Sequence, residues 1–421
     1  MPHTKSQNYW VSLAFQNLVN KINRSDCPFP SLSKLVRKIR CQLCKWGNTV
    51  IKIKSIEAFV YRFPLKHIVQ TSFGQMNDRP MVIVRLVDED GVAGFGEIWC
   101  NYPAVGAEHR AKLISSIFAD LISSKSFTSS GNAFEFLTQK TWVLCVQTGE
   151  YGPIAQCIAG IDIAINDLQA RRASLPLWKF LGGSCDEVAT YASGISPANA
   201  SETAERALDA GHNALKLKIG FDTQSDIQNV KDLRHLLGTN GNLMVDANQA
   251  WTVSEAKLML HELMPYDLAW LEEPIVADRP DTEWLSLAKT SDIPLAGGEN
   301  IFSEERFSHL VSSGYLKVIQ PDLAKWGGLS KIIPIAKKII QANKIYCPHF
   351  LGGGIGLLAS GHALAAVGGA GLLEVDCNIN PLRTSITQGF FDTSMSVLKL
   401  GDEPGLGIDP DLTEIDRYRV H

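Results

Sequence analysis

Residues 214–220 read Ala-Leu-Lys-Leu-Lys-Ile-Gly, an apolar run that carries two lysines one residue apart. In a strand, alternation places Lys216 and Lys218 on the same face. On an exposed strand such a pair is a solvated edge. Two later runs turn the pair inward: Met244-Val245-Asp246-Ala247-Asn248, and then Trp270-Leu271-Glu272-Glu273-Pro274. Each is an apolar segment that stops at charge, so charged groups gather where buried strands end.

After Gly183 the texture is one of short apolar strands separated by amphipathic helices. Eight strands are predicted, over 188–192, 214–219, 243–246, 268–271, 295–296, 316–319, 345–347 and 372–375. Strand and helix units at this spacing predict an α/β parallel barrel over 184–386, with its active site at the carboxyl ends of the strands. Ahead of it, residues 51–183 predict an α+β domain. Runs 51–63, 81–87 and 92–99 read as antiparallel strands around the acidic turn Asp88-Glu89-Asp90-Gly91, and helical spacing fills 108–182. The polar stretches 66–79 and 100–108 read as loops long enough to cover a site. With Trp99 they offer His67, Gln70, Thr71, Gln75, Asn77, Asp78, Asn101 and Tyr102 as hydrogen-bonding groups, which favours a polyhydroxylated ligand. From Thr387 the pattern lapses, and 387–421 is expected to return to the first domain.

Residues 1–50 form a basic extension, with eight Lys or Arg against the single acid Asp26, and are expected to be disordered. Cys41 and Cys44 match a metal or redox spacing but lack a second pair nearby. The whole chain of 421 residues has net charge −4 and 45% hydrophobic residues, which excludes general disorder and a broad nucleic-acid surface. Nine irregularly spaced cysteines predict reduced thiols in a cytoplasmic setting. No secretory signal is read at the start. The uncharged stretch Gly352 to Leu373 is rich in glycine and contains His362, so it reads as a buried loop and helix rather than a membrane span.

Three acids follow three successive strands: Asp246, Glu272 and Glu299, the last in Gly297-Gly298-Glu299-Asn300. Their separations, 272 − 246 = 26 and 299 − 272 = 27, equal about one strand and helix unit each. In a barrel they would converge, and three uncompensated carboxylates at one point are explained either by surface exposure or by a hard divalent cation, for which Mg²⁺ suits an all-oxygen site with positions open for substrate. Asp322 ends the next strand and His349 the one after, and 349 − 322 = 27 is again one unit. A carboxylate beside an imidazole fixes its tautomer and raises its basicity, so His349 is a candidate general base opposite the lysines. Lys216 is expected to lower the proton affinity of Lys218 by like-charge repulsion. Lys325, past the strand end, reads as a structural ion-pair partner.

On these motifs the chain resembles the enolase superfamily, and within it the mandelate racemase subgroup, over most of residues 51–400. The resemblance implies an α+β capping domain on a modified TIM barrel, (β/α)₇β, and one Mg²⁺ that holds a substrate carboxylate. A lysine or histidine base working with Mg²⁺ is the established pattern of the superfamily. It implies Asp246, Glu272 and Glu299 as metal ligands, Lys218 as the base on one face, and His349 with Asp322 on the other. It further implies Glu374 as the acid that hydrogen-bonds the developing enolate oxygen, although 374 − 349 = 25 is a long spacing for that role. The muconate-lactonizing subgroup would place a lysine where Asp322 stands. The implied activity is dehydration of a sugar acid to a 2-keto-3-deoxy acid, or racemisation or epimerisation of a 2-hydroxy acid, by a homo-oligomer acting on a small carboxylic acid. Two rivals stand beside it. Gly354-Ile355-Gly356-Leu357-Leu358-Ala359 fits G-x-G-x-x-A with Glu374 twenty residues past Gly354, a nucleotide-binding pattern. A non-catalytic binding protein on the same fold is the other.

Overall fold

Alternating apolar residues from Ile51 build β1 (Ile51–Thr71), β2 (Gly74–Asp88), β3 (Ala93–Ile98) and the short β4 (Ser126–Phe127), in the antiparallel order β3-β2-β1-β4. The computed structural model describes residues 50–71, 74–392, 396–408 and 412–420, without the side chains of 66–71 and 392. The basic extension with Cys41 and Cys44, and the side chains of His67, Gln70 and Thr71, therefore lie outside the described residues. Residues 66–71 and 74–79 are not loop, as the polarity of 66–79 suggests, but paired ends of β1 and β2 that form an extended arm. Val69 pairs with Met76, Gln70 with Gln75 and Thr71 with Gly74, beyond a register shift after Pro64. Backbone ladder bonds hold this arm where no apolar alternation marks it.

The position of β3 is set by close approach. A Cβ on Gly94 would lie 2.2 Å from the carbonyl oxygen of Ala164, and one on Gly96 2.0 Å from that of Gly160. Only glycine lets this strand lie directly on the long Tyr151–Arg172 helix. Alternation then sends Phe95, Glu97 and Trp99 to the opposite side, toward the barrel.

The barrel strands are β5 (Glu187–Ile195), β6 (Ala214–Lys218), β7 (Asn242–Asp246), β8 (Leu268–Glu272), β9 (Leu295–Gly297), β10 (Val318–Ile319), β11 (Ile345–Tyr346) and β12 (Leu373–Asp376). They are parallel neighbours in the order β11-β10-β9-β8-β7-β6-β5, and β12 pairs with the free side of β5. Seven helices alternate with these eight strands, the (β/α)₇β arrangement that the strand spacing and the resemblance predict. Closure between β11 and β12 comes from contact rather than a strand ladder. Leu372 N donates to Cys347 Sγ at 3.3 Å, and a Cβ on Gly371 would lie 1.8 Å from Tyr346 O.

The barrel floor is apolar: Tyr191, Ala214, Met244, Trp270, Ala296, Val318 and Cys347 form one buried cluster. Two residues further along the same faces come Lys216, Asp246, Glu272, Gln320 and His349. The strand period of two thus carries each chain from an apolar floor into a layer of charge. Water is excluded below that layer, which strengthens every electrostatic interaction above it.

The uncharged stretch contains the buried helix Gly354–Val367, and His362 inside it is a satisfied core histidine. Its Nδ1 accepts from Trp178 N at 2.9 Å, and burial lowers its pKa to about 4. Among the described residues no helix is long and apolar enough to cross a membrane. The C-terminal segment first adds β13 (Phe391–Asp392) and β14 (Val397–Lys399) to the start of β5. It then reaches β1, where Val420 N donates to Val60 O at 2.9 Å and Tyr418 meets Phe63 edge-on.

Candidate active site

The strand ends bring the predicted residues together in two tiers. The upper tier lines a cavity between barrel and cap and includes Lys218, Glu299, Lys325, His349 and Asn248. The lower tier holds Lys216, Asp246, Glu272 and Glu374, all at most 2% exposed. Lys218 Nζ donates to Asp246 Oδ2 at 2.5 Å, and Lys216 Nζ donates to both Glu272 oxygens at 2.9 and 2.8 Å. Lys216 also meets Glu374 Oε1 at 2.8 Å. Asp322 Oδ2 lies 2.8 Å from His349 Nδ1, and His349 Nε2 meets Glu299 Oε2. Lys325 sits 3.6 Å from Glu299 Oε1 and over the Trp99 ring, 4.8 Å from its centroid.

These contacts bear on two charge states that the sequence leaves open. Burial and Lys216 both work against the charge on Lys218, yet the Asp246 carboxylate raises its pKa above the ordinary value. The lowering by Lys216 expected from sequence is therefore outweighed, and Lys216 itself is engaged by Glu272 and Glu374. Burial alone would raise the Glu374 pKa, but Lys216 and His349 bring it down to about 2. As a carboxylate, Glu374 accepts from Ser193 Oγ at 2.5 Å in this arrangement, and the expected role toward an enolate oxygen would require it to be protonated there. Burial disfavours charge on His349 as well, and Glu299, Glu374 and Asp322 together raise its pKa well above normal.

The donor set suits a hard divalent cation. Asp246, Glu272, Glu273, Glu299, Asp322 and Glu374 are six buried carboxylates, facing Lys216, Lys218, Lys325 and His349 as four cationic partners. Acids outnumber bases here, and burial raises Glu272 to about 7 despite Lys216, so the tier does not readily hold further negative charge. Among the described residues, however, no three His, Cys, Asp or Glu side chains are drawn into one coordination group. Each of Asp246, Glu272 and Glu299 is held by its own basic partner, so joint ligation requires these carboxylates to leave lysine and histidine.

Sequence reasoning missed two buried acids. Glu273 has φ of 41° and takes Asn300 Nδ2 on both oxygens, at 3.0 and 2.9 Å. Burial, with Glu299 and Asp246, raises its pKa well above normal. Its adjacency to Glu272 in the Glu-Glu-Pro run was the available signal. Glu97, from the capping sheet, accepts from Gly353 N at 2.5 Å and Gly356 N at 2.8 Å, across more than 250 residues. No local pattern marks that partnership. It also overturns the nucleotide reading: the glycine-rich turn opens the Gly354–Val367 helix, and a carboxylate of the chain occupies the N–H groups where a phosphate would sit. The glycines serve packing, since a Cβ on Gly356 would lie 2.2 Å from the Phe350 ring.

Burial raises Glu97 to about 7 from 4.5, against the backbone donors that favour its charge. An acid with a raised folded-state pKa contributes stability that is present below about 4.5 and lost as pH rises through about 7, here about 3 kcal/mol. Urea midpoints of the wild type should fall across this window, and those of Glu97→Gln should fall less. Equal pH slopes for the two proteins would refute the assignment.

Comparison with known proteins agrees with the geometry. Residues 55–182 match the model for the mandelate racemase / muconate lactonizing enzyme N-terminal domain, and residues 199–415 match the enolase C-terminal domain-like model. A 3,6-anhydro-alpha-L-galactonate cycloisomerase from Streptomyces coelicolor is 31% identical over 75% of this chain and 86% of its own. An arabinonate dehydratase from Saccharolobus solfataricus is 28% identical over 78% and 88%. Among solved structures, a mandelate racemase/muconate lactonizing enzyme from Bordetella bronchiseptica RB50 is 46% identical with TM-score 0.84, covering 88% of this chain and all of its own. A racemase from Streptomyces coelicolor A3(2) with bound magnesium is 28% identical with TM-score 0.77, covering 87% of this chain and all of its own. Strand order, acid spacing and both domain matches converge: the chain is an enzyme of the enolase superfamily and belongs to its mandelate racemase subgroup.

Proposed function

We propose that this enzyme removes the proton next to a substrate carboxylate and expels a β-hydroxyl, dehydrating a polyhydroxylated acid to a 2-keto-3-deoxy acid. One observation carries the reading. Lys218 ends β6 and His349 follows β11, with four strands between them in the sheet order, and both line one cavity together with Glu299. A substrate carbon held there presents one face to each. Lys218 Nζ, in the neutral form it would take once freed of Asp246 and relieved of its own proton to solvent, takes the α-proton, and His349, oriented through Nδ1 by Asp322, gives its proton to the hydroxyl that leaves as water. The enol that remains rearranges to the 2-keto acid. Lys216 and Glu374 hold the tier beneath and keep its charge fixed. Mg²⁺ bound by Asp246, Glu272 and Glu299 would supply the positive charge that offsets the negative charge developing on the substrate.

The dehydratase among the relatives and the magnesium-bound racemase among the solved structures support this class of chemistry. The same opposition of Lys218 and His349 favours a second reading, racemisation or epimerisation, in which the second group returns a proton to the other face. Proton NMR in D₂O with Mg²⁺, on a panel of aldonic, aldaric and simple 2-hydroxy acids, separates them. New methylene signals at C3 are expected. Loss of the α-proton with an intact carbon skeleton would establish the racemase instead, and no exchange with any acid would remove both.

A further inference from the structure

The capping strands contribute Met76, Arg79 and Trp99 to the wall of the same cavity that Lys218 and His349 line. Arg79 is 4% exposed. Its Nη2 lies 3.1 Å from Asp376 Oδ2 and its Nη1 donates to Met76 Sδ at 3.1 Å, while Nε has no partner among the described residues. Arg383 Nη1 approaches the same Asp376 oxygen at 3.4 Å. The other oxygen of Asp376 is taken by Asn378, through its backbone N at 3.0 Å and its Nδ2 at 2.7 Å. One carboxylate thus faces two guanidinium groups, and the cluster keeps a positive charge. Trp99 Nε1 is a second buried donor without a partner in the same wall.

A buried N–H on a cation is satisfied best by an anionic oxygen, and guanidinium geometry matches carboxylate. A neutral hydroxyl would fill the hydrogen bond and leave the charge unanswered. We propose that Arg79, with Trp99 beside it, binds a second carboxylate at the far end of the substrate, so that the enzyme selects diacids over monoacids of the same configuration. This rests on the proton-abstraction reading above for the near end of the substrate. Asp376 positions Arg79 by holding Nη2 and leaving Nε to the ligand.

Calorimetric titration of the Mg²⁺-loaded protein with galactarate and galactonate, and with glucarate and gluconate, tests it. Each diacid is expected to bind about 10- to 100-fold more tightly than its monoacid partner. Arg79→Gln should collapse that ratio toward one, and Arg79→Lys should retain part of it. Equal binding of diacid and monoacid by the wild type, or equal weakening of both by Arg79→Gln, would overturn the proposal. If Arg79→Gln does not fold, the wild-type ratio and Arg79→Lys decide. Exchange in D₂O separates the two ideas. An Arg79-dependent diacid preference without α-proton exchange supports this site and removes the proton-abstraction reading. Exchange with monoacids as readily as with diacids does the reverse.

Discussion

Lys218→Ala should lower kcat/KM by about 1,000-fold, and His349→Asn by a similar factor, because each removes a proton-transfer group for which water is a poor substitute. The two losses should differ in kind. Without Lys218, exchange of the substrate α-proton with solvent should vanish. Without His349, Lys218 can still take the proton, so exchange at C2 should continue while elimination stops. The double variant should be little worse than either single one, since the two groups act in one sequence. Lys218 is partly exposed, with 23% of its side chain accessible, so Lys218→Ala should fold and the comparison should be one of chemistry. Exchange that survives Lys218→Ala but not His349→Asn would reverse the assignment of the two faces. Survival in both would move the base elsewhere.

Lys216→Met should destabilise the metal-free protein by about 3–5 kcal/mol, the cost of leaving buried charge without its partner. Lys216 is 1% exposed and holds Glu272 and Glu374 together across the barrel. Methionine keeps the length of the side chain, so the loss is one of charge rather than volume. The pH dependence should report the same cause. With Lys216 gone, both carboxylates gain raised folded-state pKa values, and stability linked to a raised acid is present at low pH and lost as pH rises. The deficit should therefore be smaller at pH 5 than at pH 8 in urea titrations. A deficit that grows toward acid pH would mean that Glu272 and Glu374 do not depend on Lys216.

Much of this architecture is written locally. The step of 26 or 27 residues between acids is the length of one strand and helix unit, and a parallel barrel turns that step into adjacency. The eight strand positions follow from the same repeat, and the pairing of Asp322 with His349 follows from one further step. The alternation of Lys216 and Lys218 likewise holds, since period two is a property of any strand.

What escaped were relations between segments far apart in the chain. Lys216 was read against its neighbour Lys218, but its partners come from β8 and β12, and proximity to Glu272 and Glu374 sets its role. Glu97 meets Gly353 only because glycines at 94 and 96 seat β3 on a helix and face its other side toward the barrel. The extended arm beyond Pro64 carries no apolar period, so nothing local distinguished it from a loop. Periodicity and spacing are local consequences of backbone geometry, and they determined the fold class and the list of chemical groups from sequence alone. Charge state, pairing and orientation are set by distance and dielectric, which exist only once the barrel and its cap have closed around those groups.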